Sequence, residues 1–210
     1  MSLILSKEKA YNKLNSKVVN LNSNQLCKYL HEVYDLTLKI SSFLKKDEFT
    51  GFEKQSSMIY LPKKNLNKNE INPLLWELGH ISYFYDYHCL RYLIDDYQIM
   101  IPDSEIYNSF VTNRKTRFKF RDHSKKVIFH YYEYIYFTLN NYITNNILNE
   151  KTTYLILLSI LHNHMHIESF LFSRKIIGFK KLITSKFKTI DTNKDIEFIF
   201  INGGKFEQGT

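Results

Sequence analysis

Apolar residues recur at helical spacing in four long stretches of this chain, separated by polar or proline-containing passages. The first follows Ser23 or Asn24, whose short polar side chains suit a helix start, and runs through QLCKYLHEVYDLTLKISSFLKK. There Leu26, Leu30, Val33, Ile40, Phe43 and Leu44 return about once per turn, which predicts an amphipathic helix. Lys45 to Glu70 is a long polar connection containing Pro62. Asn72-Pro73 predicts the next start, with Asn as cap and Pro in the first helical position, and the pattern carries to Tyr97. Pro102, Asp103 and Ser104 break it, and Tyr107 to Arg121 is basic and irregular. A third helix is predicted from Asp122 to Asn146, and a fourth from Thr152, apolar nearly all round until Gly178 stops it.

The ends differ from this middle. Residues 1–22 are mostly polar and rich in Lys and Asn, and predict a helical arm. Residues 180–194 form a charged linker, and Ile196 to Ile201 (IEFIFI) reads as a β-strand before the turn signal Asn202-Gly203-Gly204. A lone strand has no stable sheet to join, so residues 195–210 are expected to open a truncated second domain. The predicted organisation is an all-α bundle over 23–179, with the arm before it and the linker and strand stub after it.

Composition adds limits. Gly is only 6 and Pro 3 of 210 residues, which disfavours a loop-rich or all-β chain. The net charge of +8 fits a solvated basic surface: the densest cluster, Arg114 to Lys126, carries no glycine-framed aromatic motif, so nucleic acid is not an expected partner. Cys27 and Cys89 form no C-x-x-C pair and no disulfide framework, which suits a reducing compartment. With no signal-peptide pattern and no apolar run approaching the ~20 residues that span a bilayer, a cytoplasmic protein without a membrane partner is expected.

The chemistry concentrates in Leu161 to Phe170, LHNHMHIESF. His162 and His166 are one helical turn apart and can point at one metal ion, whereas His164 points the other way and Glu168 lies off the ligand face. Their face also carries Leu155, Leu158, Ser159, Ser169 and Ser173, the side expected to turn inward. Two buried imidazoles need partners, and a metal satisfies both. The second helix offers the third ligand, His80, preceded by Gly79 and flanked by Trp76, Tyr83, Phe84 and Tyr87; His88 competes for the role from a more polar setting. Three neutral histidines suit either a zinc ion holding a water or a non-haem Fe(II).

Together, NPLLWELGHISYF and LHNHMHIESFLF resemble the DinB-like four-helix domain of the ergothioneine and ovothiol sulfoxide synthases, with its Pro-x-x-Trp-x-x-Gly-His and His-x-x-x-His-x-Glu motifs. FIFINGGKFEQGT is similar to the opening of the formylglycine-generating-enzyme-like domain that follows in that family. The resemblance implies Fe(II), with Zn or Ni as alternatives, on His80, His162 and His166. It implies O2-dependent joining of a small-molecule thiol of the cysteine type to a histidine derivative. It also implies that a basic residue, Arg117 or Arg121, holds substrate carboxylates. Met165 stands where several relatives place a Gln against the substrate imidazole, and Met cannot donate that hydrogen bond. The family's acid/base tyrosine belongs to the second domain, so a second chain supplying that domain is an expected partner. The competing expectations are a DinB-like metal-dependent thiol transferase or hydrolase, and a vestigial, non-enzymatic bundle.

Overall fold

A computed structural model of the chain describes residues 21–42, 71–119, 123–176 and 203–205, without the side chains of 118, 119 and 176. The chain divides into two units, Leu21–Leu182, which holds all the helices described, and Met1–Asn20 with Ile183–Thr210. In the latter, 203–205 are exposed and without regular structure. The predicted arm up to residue 20, the linker 180–194, the strand Ile196 to Ile201 and Arg121 lie outside the described residues.

The described residues are mostly helical and contain no strand, in keeping with an all-α class. Helix α1 is Ser23–Ser41, and α2 is Leu74–Tyr85, continued by a π-helical turn, Asp86–Leu90, and a last α-turn, Arg91–Leu93. A 3-10 turn, Ser104–Tyr107, and the short α3, Arg114–Lys119, lead to α4, Lys125–Asn145, and α5, Glu150–Ile176. Helices α1 and α2 each pack against both α4 and α5. The buried positions follow the helical repeat: Leu26, Leu30, Val33, Thr37 and Ile40 on α1, and Ile128, Tyr131 or Tyr132, Ile135, Leu139 and Ile143 on α4.

Several helix ends differ from expectation for identifiable reasons. Asn22, rather than Ser23 or Asn24, caps α1, because Gln25 completes a capping box: Gln25 N–H donates to Asn22 Oδ1 at 2.9 Å and Asn22 N–H to Gln25 Oε1 at 3.0 Å. Asn72 does not cap α2, since its Oδ1 accepts from Arg117 Nη1 at 3.0 Å. That helix ends at Leu93, short of Tyr97, and Asp96 turns left-handed at φ 53°. Ser124, not Asp122, caps α4. Asn149, not Thr152, caps α5, with Thr152 N–H donating to Asn149 Oδ1 at 3.0 Å and Asn149 N–H to Thr152 Oγ1 at 2.8 Å.

Helix α5 is also less enclosed than its sequence implies. One face, Thr153, Ile156, Ile160, Asn163, Ile167 and Phe170, is buried, while Leu158, Leu161, Met165 and Phe172 are exposed. Apolar residues on both faces produced the expectation of full burial. The same composition makes Glu150–Lys175 long and apolar enough to cross a membrane, contrary to the sequence-based limit above, although its buried face packs on α1 and α2 as a core helix does.

Candidate metal centre

Helices α2 and α5 face each other across the core, and their histidines meet there. On α2, Glu77 and His80 are three residues apart and share one face; on α5, His162 and His166 are four apart and share another. The ring centroids are 5.2 Å apart for His80 and His162, 4.8 Å for His80 and His166, and 4.6 Å for His162 and His166. One ligand nitrogen from each ring lies within 4.8 Å of the others. Three nitrogens bound at ~2.0–2.1 Å to one ion stand roughly 3 to 3.5 Å apart, so small side-chain rotations close the set.

Each ring is held from behind. His80 Nδ1 is 2.7 Å from the carbonyl oxygen of Tyr107, to which it donates, leaving Nε2 as the ligand atom. The 3-10 turn offers two successive carbonyls to α2, because Trp76 Nε1–H donates to Ile106 at 2.8 Å. Trp76 in turn lies parallel to the His80 ring, with centroids 5.1 Å apart and planes 7° from coincidence. Gly79 explains how the turn comes so near: a Cβ on it would run into the ring of Tyr107. His166 Nδ1 is 2.8 Å from Glu77 Oε1, a buried imidazole–carboxylate pair. His162 stacks on Phe84, with centroids 3.7 Å apart and planes 13° from parallel.

Burial has left polar atoms of this cluster without partners. His166 Nε2 and His162 Nδ1 are both enclosed and make no hydrogen bond. Such atoms are costly to bury, and a metal ion among them removes the cost. Burial, reinforced by the neighbouring His166, pushes the pKa of His80 down to about 4. The same causes, with His80 and His88 adding to them, push His162 down to about 3. Both rings are therefore neutral near pH 7, the form that binds metal. The donor set suits a divalent transition ion such as Fe, Zn, Ni or Cu, and no described carboxylate belongs to it, which disfavours Ca and Mg.

The remaining predicted residues fall as follows. His88 sits beside the centre with its ring against Phe84 and Tyr87 and outside the ligand cluster. His164, Met165 and Glu168 are exposed; Met165 is 54% exposed, on the far side of α5 from the core. Of the inward face expected for α5, Ser159 and Ser173 are buried, Leu155 and Ser169 half-buried, and Leu158 exposed. Arg117 lies with its guanidinium carbon 4.2 Å over the Trp76 ring. Three of its N–H groups donate to Thr112 O, Asn72 Oδ1 and Ser109 O, each at 3.0 Å, so it braces the aromatic wall behind His80.

Two partners of the centre escaped the sequence reading. Tyr107 contributes a backbone carbonyl, for which side-chain identity gives no signal. Glu77 did leave one: a single acid inside the apolar run LLWELGHI, one turn before a ligand and on its face. No protein-family model matches this chain, and no curated protein matches it either.

Proposed function

We propose that the chain binds one divalent transition-metal ion on His80, His162 and His166, and that it is the N-terminal, DinB-like metal-binding part of an Fe(II)- and O2-dependent sulfoxide synthase. The single observation that carries the metal site is the convergence of three rings from two helices, with His166 Nε2 and His162 Nδ1 buried and unpartnered among them. The step to the activity rests on the resemblance of NPLLWELGHISYF and LHNHMHIESFLF to that family. The reaction would join a cysteine-type thiol to the imidazole carbon of a histidine derivative. The S–H and C–H bonds break, a C–S bond forms, and O2 is reduced by four electrons, one oxygen atom ending in the sulfoxide and the other in water. Iron supplies the means of engaging O2 in this chemistry. The chain's residues hold His80 and His162 neutral, fix the His80 and His166 rings through Tyr107 and Glu77, and screen the centre from water with Trp76 and Phe84.

The test is anaerobic reconstitution of the full chain with Fe(II), measured as metal per chain, followed by cysteine and either histidine or its trimethylated form in the presence of O2. The expected result is one iron per wild-type chain and none in the His80→Ala/His162→Ala/His166→Ala variant, with a C–S adduct detected by mass spectrometry once a chain carrying the second domain is supplied. A wild-type chain that retains no metal overturns the site. Stoichiometric metal with thiol consumption that proceeds without O2 replaces the synthase by a Zn- or Ni-dependent thiol transferase or hydrolase. Stoichiometric metal with no reaction leaves the metal site and removes the activity from this chain.

A further inference from the structure

Helix α2 is buried on almost every side, and it encloses a carboxylate. Glu77 is 0% exposed; its Oε1 accepts from His166 Nδ1–H at 2.8 Å, and its Oε2 is enclosed with no hydrogen-bond partner. Among the described residues its ion-pair partner is His166, an imidazole that is charged only when protonated. The guanidinium of Arg117 feels the Glu77 charge only through space, and its hydrogen bonds go to Thr112, Asn72 and Ser109. Packing alone does not account for Glu77, since an apolar residue of the same size would fill the space without burying a charge. A cation on the far side of the His166 ring does account for it. The proton on Nδ1 faces the carboxylate, so Nε2, the enclosed and unpartnered atom, faces the other two histidines. His80 has the same arrangement with a neutral acceptor, the Tyr107 carbonyl. The two ligands thus differ in the charge behind them.

We propose that Glu77 is the positioning residue of the metal centre: it fixes His166 in the tautomer that ligates through Nε2, and it supplies the negative charge that three neutral imidazoles do not bring to a divalent ion. This rests on the three-histidine metal site proposed above. It assigns Glu77 to the ion's affinity and electronic environment rather than to the core.

The full chain carrying Glu77→Gln keeps an acceptor for His166 while losing the charge, and Glu77→Asp keeps the charge while withdrawing it by one methylene. Co(II) and Zn(II) affinities are measured by chelator competition, together with the visible spectrum of the Co(II) form and the unfolding midpoint of the metal-free chain. The expected result for Glu77→Gln is a roughly 10–100-fold weaker affinity with shifted Co(II) bands, and a metal-free midpoint that is unchanged or raised. Glu77→Asp falls between that variant and wild type. On the Zn(II)-loaded wild-type chain, nitrogen-15 NMR of the histidine rings is expected to show His166 protonated at Nδ1 and bound through Nε2, a readout that needs no variant to fold. Wild-type affinity in folded Glu77→Gln, or His166 bound through Nδ1, overturns the role of Glu77 while the metal site stands. A wild-type chain that takes up neither ion overturns both.

Discussion

Helix α5 carries two buried polar groups side by side, and they are built in opposite ways. Asn163 is 0% exposed, and its hydrogen bonds are made within the protein. Its Nδ2–H donates to Thr37 Oγ1 at 2.9 Å, and its Oδ1 accepts from Tyr132 at 2.8 Å and from Tyr85 at 3.5 Å. Thr37 passes its own hydroxyl proton to the Val33 carbonyl at 2.8 Å. One amide thereby joins α5 to α1, α2 and α4. The neighbours His162 and His166 end instead in buried nitrogens with nothing to bond. A polar cluster that closes on itself specifies how helices pack; one left open toward a common centre specifies a ligand. Both clusters are polar and lie in the bundle, with Asn163 and His166 buried and His162 half-buried. What separates them is whether the donors and acceptors balance.

The strongest way to break this contrast is to open the closed cluster. Asn163→Leu would strip partners from the buried hydroxyls of Tyr132, Tyr85 and Thr37 at once, and should destabilise the chain by about 3 kcal/mol. Denaturant unfolding measures it, and metal bound per folded molecule should not change. A loss below about 1 kcal/mol would mean that Asn163 does not hold the helices together. The converse change acts on the open cluster. His162→Phe removes a ring nitrogen that has no partner while keeping an aromatic face for Phe84, so metal-free stability should stay within about 1 kcal/mol of wild type. Co(II) affinity, by contrast, should fall at least about tenfold, or ~1.4 kcal/mol, with one of three ligands gone. Unchanged affinity would remove His162 from the ligand set.

The three clustered histidines were legible in the sequence because each imposes a spacing or a neighbourhood. His162 and His166 are one turn apart, and His80 follows the one glycine of its helix, where only a missing side chain lets the Tyr107 ring approach. The helices were legible for the same reason, since Leu26, Leu30, Val33 and Ile40 must repeat with the turn that buries them. The supports were not legible. The carbonyl of Tyr107 belongs to the backbone, and Asn163 reads as filler between histidines until Thr37, Tyr85 and Tyr132 arrive from three other helices. Asn72-Pro73 looked like a helix cap because local chemistry allowed it, but Arg117, 45 positions on, takes the Asn72 oxygen. The π-turn at Asp86–Leu90 left no mark on the apolar period either. There Asp86 is buried and accepts from Tyr131 at 2.6 Å and from the Met100 amide at 3.3 Å, contacts set by tertiary packing.

Acid tests the open cluster without changing its shape. Burial holds His80 and His162 neutral down to about 4 and about 3, against an ordinary value of 6.5 in the unfolded chain. Above pH 6.5 these rings are neutral in both states and contribute no pH dependence. As pH falls from 6.5 to about 4 for His80, and on to about 3 for His162, the unfolded chain takes up protons that the fold refuses, so acid favours unfolding and metal-free stability declines through that window. Below it the fold accepts the protons too, and the decline from these two groups levels off. Unfolding midpoints of the metal-free wild-type chain should therefore drop across this window more steeply than those of His162→Phe, which lacks one of the two rings. Subtracting one profile from the other cancels Asp86, whose carboxyl burial raises and whose acid dependence runs the opposite way. Parallel profiles would place the His162 ring in water rather than in the core. In that case its Nδ1 would have a solvent partner, and the open cluster would be open to solvent rather than to an ion.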